Sequence, residues 1–284
     1  MIAFVNKSFI EEEKAFLQVS DLGLQRGYAA FDFFRTKDHV PLFLEDYLNR
    51  FFNSAATMHL QPLHGRKQLK EIIYELIRQN NIPDSGIRMI MTGGYAPDNY
   101  TPVEPNLVIL QQTLELPSKE KFMEGVKIIS EEYQRDLPEV KSTNYLMGIW
   151  LQKKLKENNA SDVLYHLNGN VTEFPRANIF IVNRDETIIT PAQNILKGIT
   201  RMKLLELIKN KYKAEERPIH LDEVKNAAEV FMTSTTKRIL PVNQVDNIVI
   251  GNGKGGPVTS ALNNAFLKME ESFVKSFELS SSHC

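Results

Sequence analysis

Lys141 has the most suggestive chemical setting in the chain: Pro138 precedes it, the polar run Ser142-Thr143-Asn144 follows, and the stretch joins a strand pattern to a helical one. Such joints expose side chains to clefts, where an amine that gives up its proton becomes a nucleophile or a base. Most lysines are solvated surface groups, and local context alone leaves that reading open. At Gly198-Ile199-Thr200 a loop feeds a helix start, which offers backbone N–H groups and a hydroxyl to a phosphate. Thr200 is equally an ordinary N-cap type. Thr233-Ser234-Thr235-Thr236, after the strand-like AEVFM, supplies hydroxyls that suit an anion or a turn. Glu173, past a hairpin signal and beside an apolar strand, either aims its carboxylate into a cleft or lies on the surface. Arg26, Arg50, Arg88 and Arg176 stand among apolar or small residues, where a partly buried guanidinium needs an anion.

Several other chemistries lack their residues. The six histidines form no HExxH pair, no GxSxG elbow occurs, and GNGKGG at 251 to 256 lacks Walker spacing and reads as a hairpin turn. The one cysteine, Cys284, leaves no internal disulfide or cysteine metal site, which fits a reducing compartment. A formal net charge of -1 gives no basic excess for nucleic acid or an anionic membrane, so small molecules are the expected partners. MIAFVNKSFIEEEK turns acidic early, and no later stretch has the apolar length of a membrane span, so a cytoplasmic location is expected.

The elements that must hold these residues follow from periodicity. MIAFVNKSF predicts a hairpin turning near Asn6 and Lys7, and residues 45 to 59 and 66 to 80 carry helical apolar spacing. GIRMIMTGG and NLVILQQTLEL read as strands. Around Leu116-Pro117-Ser118-Lys119 the pattern breaks and GVKIISEEY opens a second unit. The expected division is a small N-terminal domain over 1 to 115, a linker at 116 to 120 and a large C-terminal domain over 121 to 284. In the second part we expect a helix at 144 to 158, a hairpin at Asn168-Gly169, strands NIFIVN and TIITP, and a helix from Gly198 onward. A final helix is expected to end near 277.

Taken in order, Arg26-Gly27-Tyr28, Leu48-Asn49-Arg50 with Ser54, LPEVKSTNY, Glu173 with Asn178-Ile179-Phe180, ILKGITR and EVFMTSTTKRILPV resemble the fold-type IV pyridoxal-5'-phosphate (PLP) enzymes. That family includes D-amino acid aminotransferases, branched-chain aminotransferases and aminodeoxychorismate lyases. The resemblance implies an α+β fold with a small N-terminal α/β domain and a larger C-terminal mixed-sheet, barrel-like domain that binds PLP. It implies that Lys141 is the Schiff-base lysine and the acid/base at the substrate Cα and cofactor C4'. Glu173 pairs with the pyridine nitrogen. Arg50, the Ile199 and Thr200 backbone, Thr235 and Thr236 hold the phosphate, Tyr145 reaches the phenolic oxygen, and Asn178 supports the cofactor strand. A homodimer is implied as well.

Two departures concern the substrate. Thr92-Gly93-Gly94-Tyr95-Ala96-Pro97-Asp98-Asn99-Tyr100 stands where similar D-amino acid aminotransferases carry an Arg-x-His carboxylate trap, so Asp98 and Tyr100 replace both residues. Phe31-Asp32-Phe33-Phe34 stands where many relatives have Gly-Asp-Gly and an apolar residue. A different cation must then bind the carboxylate, and Arg26, Arg88 and Arg176 are the candidates. The expected activity is transfer of an amino group between a D-amino acid and a 2-oxo acid. The alternatives are a branched-chain L-amino acid transaminase, a 4-amino-4-deoxychorismate lyase that eliminates pyruvate, and a PLP-binding protein without turnover.

Overall fold

A computed structural model of the chain describes residues 1–281, so Cys284 lies outside the described residues. The chain divides into two compact units. The first comprises Met1–Leu114, Val140–Asn144 and the chain from Phe273, and the second Glu115–Glu139 and Tyr145–Ser272.

In the first unit the predicted hairpin forms from β1 (Ile2–Val5) and β2 (Ser8–Glu11), with Asn6 in the left-handed region at φ 53°, which asparagine tolerates. Next come α1 (Leu22–Arg26), β3 (Ala29–Lys37) and β4 (Val40–Pro41). The two expected helices are α2 (Leu44–Thr57) and α3 (Arg66–Asn80), and the two expected strands are β5 (Ser85–Thr92) and β6 (Leu107–Thr113). The strands form one antiparallel sheet in the order β2-β1-β6-β5-β3-β4. Apolar residues at helical spacing, Leu44, Tyr47, Leu48 and Phe51 on α2 and Leu69, Ile73, Leu76 and Ile77 on α3, are buried. Each such side chain contributes roughly 1.5–3 kcal/mol.

The period of two along β3 decides which residues share a face. Phe34 lies 5.6 Å from the Tyr47 ring and Asp32 pairs with Arg50, so Ala30, Asp32 and Phe34 face α2. Phe31, Phe33 and Arg35 therefore point the other way, and register sets Ile90 opposite Phe31 and Arg88 opposite Phe33. Residues 140–144 run antiparallel along the edge of β3. Phe31 N–H donates to Lys141 O at 2.8 Å and Thr143 N–H to Ala29 O at 2.9 Å.

In the second unit, α4 (Lys119–Glu124) and β7 (Val126–Glu132) come first. The helix expected over 144 to 158 is two short helices, α5 (Leu146–Trp150) and α6 (Gln152–Glu157). Leu151 separates them because its ψ of -5° opens the helical ladder. β8 (Asp162–Leu167) and β9 (Asn170–Val171) then turn through Asn168 at φ 49° and Gly169 at φ 77°, the paired positive values that a two-residue hairpin turn demands. β10 (Glu173–Phe174), β11 (Ala177–Val182), β12 (Ile188–Thr190), α7 (Ile199–Ile208), β13 (Ala214–Glu216) and α8 (Leu221–Lys225) follow. The chain continues with β14 (Glu229–Ser234), β15 (Arg238–Val245), β16 (Ile248–Val249) and α9 (Pro257–Ser281).

These strands make a mixed sheet ordered β13-β12-β11-β14-β15-β7-β8-β9, with β10 added on β11 and β16 on β15. Its core includes Ile128, Leu164, Ile179, Ile181, Met232 and Val242. Residues 251–256 are not the hairpin turn that their composition suggests: the β15–β16 hairpin turns at Asp246, φ 52°, and the glycine-rich run leads into α9. That last helix also runs past the expected end, through Ser281. Among the described residues no helix is long and apolar enough to cross a membrane.

Candidate active site

Lys141 is partly buried in the first unit, and backbone hydrogen bonds fix its place in the chain. Its N–H donates to Ser54 Oγ on α2 at 3.1 Å, while its carbonyl accepts from Phe31. Because it sits opposite Phe31, its side chain shares the face of Phe31 and Phe33. Nζ lies 4.5 Å from the centre of the Phe31 ring. Arg88, on the same face, has its Cζ 5.7 Å from the Phe31 ring and 5.4 Å from that of Phe33.

Arg50 points from α2 to the other face. Asp32, with no exposed surface, accepts from Arg50 Nε at 2.9 Å and from Nη2 at 2.6 Å, and Arg50 also lies over the Tyr47 ring at 5.3 Å. Such a two-pronged pair holds the guanidinium plane in one orientation. Arg26 is exposed at the end of α1, with Nε 3.3 Å from Asn99 O. Arg176 is likewise exposed, since it occupies the tight turn between β10 and β11. Asp98 accepts from Tyr100 N–H, Thr101 N–H and the Thr101 hydroxyl. The hydroxyl leads in holding its carboxyl down at about 2, so Asp98 closes a turn.

In the second unit the register aligns Glu173, Asn178 and Thr233 on neighbouring strands, so their side chains form one row on one face of the sheet. The loop from Leu196 to Gly198 is fastened to this row at three points. Leu196 N–H donates to Glu173 Oε2 at 2.9 Å, Asn178 Nδ2 donates to Leu196 O at 2.7 Å, and Gly198 N–H donates to Asn178 Oδ1 at 3.2 Å. A Cβ on Gly198 would stand 2.2 Å from that oxygen, so the close approach requires glycine. Asn178 thus anchors the loop that starts α7. Gly198 occupies the N-cap position and Thr200, at 6 % exposure, is the second helical residue and not the cap. Met202 N–H to Gly198 O opens the helical ladder, which leaves the N–H groups of 199 to 201 without intrahelical partners.

Glu173 is 4 % exposed and also accepts from Arg135 Nε at 2.7 Å. The Arg135 guanidinium donates further to Pro138 O. Thr235 and Thr236 are partly buried in the turn between β14 and β15, whereas Thr233 and Ser234 belong to β14 itself. Tyr145 is partly buried at the start of α5. Burial pushes the Tyr165 phenol on β8 up, so it stays protonated. Sequence reasoning missed Arg135 and the pairing role of Asp32: each is paired with a residue 18 or more positions away.

Two observations fit a phosphorylated, protonated heterocycle in the second unit. Thr233 Oγ1 is buried in the row without a hydrogen-bond partner, and the Gly198 loop lies so close to the row that a methyl group there would have to displace the Asn178 amide. In the second unit, a carboxylate paired with an arginine and a helix start open to an anion suit a bound organic cofactor, and the first unit by itself presents a lysine in a fixed joint.

The chain belongs to the amino-transferase class IV family, whose model matches residues 29–245, and is a PLP-dependent aminotransferase. It is 30 % identical to the D-alanine aminotransferase of Bacillus licheniformis over 277 residues, 94 % of this chain and 98 % of that one. A branched-chain amino acid aminotransferase from T.th., solved with pyridoxamine 5'-phosphate, superposes with a TM-score of 0.89 at 24 % identity, covering 95 % of this chain and 93 % of that one. A putative 4-amino-4-deoxychorismate lyase from Legionella pneumophila gives 0.82 at 24 % identity, covering 91 % and 97 %. These superpositions show the fold-type IV architecture.

Proposed function

We propose that the enzyme transfers amino groups from D-amino acids such as D-alanine and D-glutamate to 2-oxo acids, with Lys141 carrying the cofactor through its amine. The observation that carries the substrate half of this reading is the placement of Lys141 Nζ and the Arg88 guanidinium over one phenyl ring, Phe31. A guanidinium on the same sheet face as that amine suits an α-carboxylate. The 30 % identity to proteins named D-alanine aminotransferase supports the choice of stereochemistry.

When bound, PLP supplies an electron sink for the pair released at the substrate Cα. Lys141 Nζ would serve as the acid/base that moves the proton between the substrate Cα and the cofactor C4'. Glu173, paired with Arg135 and oriented by Leu196 N–H, would face the pyridine nitrogen and favour its protonated form. Arg50, the N–H groups of Ile199 and Thr200, Thr235 and Thr236 would hold the phosphate, Asn178 fixes the loop that carries those N–H groups, and Tyr145 would donate to the phenolic oxygen. Arg88, with Arg26 and Arg176, binds substrate carboxylates.

The remaining proposals are coarser. The expected domains, 1 to 115 as the small domain, 116 to 120 as the linker and 121 to 284 as the PLP-binding domain, match the two compact units except at 140 to 144 and from 273 onward, which belong to the first unit. The enzyme works as a homodimer in the cytoplasm. Leu146, Ile149 and Trp150, each more than two-thirds exposed on α5, supply an apolar surface for a second copy.

Steady-state kinetics of Arg88→Ala test the substrate assignment. A KM for D-glutamate raised at least about ten-fold with PLP still bound is expected, the loss of one charge-assisted contact. An unchanged KM removes Arg88 from carboxylate binding.

A further inference from the structure

Arg26 has a substrate-binding role in the reading above, yet it ends a helix of only five residues, α1 (Leu22–Arg26). A helix that short is not held by its own hydrogen-bond ladder, so the surrounding first unit must decide where Arg26 stands. Two side chains outside the helix act on it, one at each end. At its start, Asp21 has no exposed surface and is the N-cap. Asp21 Oδ1 accepts from Gly23 N–H at 2.7 Å, and Oδ2 accepts from the Thr92 hydroxyl and from Asn106 Nδ2, each at 2.7 Å. Thr92 closes β5 and Asn106 precedes β6, so one carboxylate joins the helix to the sheet. The approach is close: a Cβ on Gly23 would stand 2.8 Å from both Asp21 Oδ1 and Thr92 Cγ2.

At its other end, Gly27 is the left-handed C-cap at φ 65°, and its carbonyl accepts from the Thr143 hydroxyl at 3.0 Å. Thr143 is two residues past Lys141, and its N–H donates to Ala29 O. The backbone beside Arg26 is thereby tied to the segment that carries the lysine.

The donors at Asp21 leave little freedom in residue type. Leu107 N–H donates to Asn6 Oδ1 at 2.8 Å, which turns Asn6 Nδ2 toward Asn106 Oδ1 at 2.9 Å and so turns Asn106 Nδ2 toward Asp21. A chain of donors that starts at a backbone N–H ends on a group that must accept, while Gly23 N–H requires the same of its other oxygen. An asparagine at 21 would set its NH2 against a donor whichever way it turned.

We propose that Asp21 and Thr143 are positioning residues for substrate binding: they clamp α1 at both ends and so set where Arg26 stands relative to the Lys141 segment. This rests on the reading of Arg26 as a carboxylate-binding residue.

The test is a double-mutant cycle on the holoenzyme, with steady-state kinetics on D-glutamate and the visible absorbance of the bound cofactor as readouts. Asp21→Asn and Thr143→Val are each made in wild type and in Arg26→Ala. Each is expected to raise KM about five-fold in wild type with cofactor absorbance kept, and to add nothing in Arg26→Ala, the non-additivity of groups that act through one another. Thr143→Ser, which keeps the hydroxyl, stays near wild type. Should Asp21→Asn fail to fold, Thr143→Val decides alone. If Arg26→Ala raises KM but the clamp variants leave it unchanged, or raise it by the same factor in both backgrounds, the proposal falls and the Arg26 reading stands. An unchanged KM in Arg26→Ala removes that reading and the proposal with it.

Discussion

The residues proposed to do the chemistry lie in two rows on two different sheets, and the rows are built differently. In the second unit, Glu173, Asn178 and Thr233 sit in register on adjacent strands and are tied to a loop by backbone N–H and C=O groups. In the first unit, Lys141, Phe31, Phe33 and Arg88 meet through ring faces and a guanidinium. Hydrogen bonds to backbone tolerate few substitutions, because a lost partner leaves a buried polar group unpaired. Stacked side chains can be exchanged for others of similar bulk. The second-unit row accordingly keeps the motif that the resemblance rests on, whereas in the first-unit row Lys141 keeps its motif and Phe31 and Phe33 depart from the family pattern.

The largest effect that can break this contrast is at Lys141. Lys141→Ala is expected to lower transamination by about 10⁴-fold or more, through loss of the base and the nucleophile together, with the bound chromophore lost from the visible spectrum on desalting. A variant that still turns over at a tenth of the wild-type rate would place the chemistry elsewhere.

Next in size is the pair behind the pyridine nitrogen. Arg135→Met leaves Glu173 buried without its cation, and a broken pair of this kind costs about 3–5 kcal/mol. Denaturant titration of the apoprotein should show a correspondingly lower midpoint. A midpoint equal to wild type would mean that the pair adds nothing to the second unit.

Gly198→Ala sharpens the contrast without removing any functional group. Its methyl must displace the Asn178 amide, so PLP affinity is expected to fall by roughly ten-fold or more, on the scale of 1–3 kcal/mol for forced repacking. Equilibrium dialysis against PLP checks it. The smallest effect is predicted at Asp98, whose oxygens serve Tyr100 and Thr101: Asp98→Asn should change the KM for D-glutamate by less than about two-fold, as surface substitutions generally do. A large rise would return the 98–101 turn to the substrate site.

What the sequence made legible follows from how local each signal is. The Asn168-Gly169 turn, the helices α2 and α3 and the Gly198 loop announce themselves within a few residues, and the structure has all of them. Lys141 and Glu173 could be picked out because ordered motifs surround them. The partners that orient those groups could not. Asp32 meets Arg50 and Arg135 meets Glu173 only after strands have paired across the fold, and neither pairing leaves a trace in spacing. The exposure of Arg26 and Arg176 was open in the sequence for the same reason, since flanking apolar residues do not say which way a turn residue points.

The most direct test of the central claim is to titrate the purified holoenzyme with D-glutamate, and separately with L-glutamate, without a 2-oxo acid, and follow the visible spectrum. Conversion of the lysine-bound cofactor to pyridoxamine phosphate by the D-isomer alone is the predicted result. Conversion by the L-isomer alone, or by neither, would contradict it, pointing to the branched-chain reaction in the first case and to the lyase in the second.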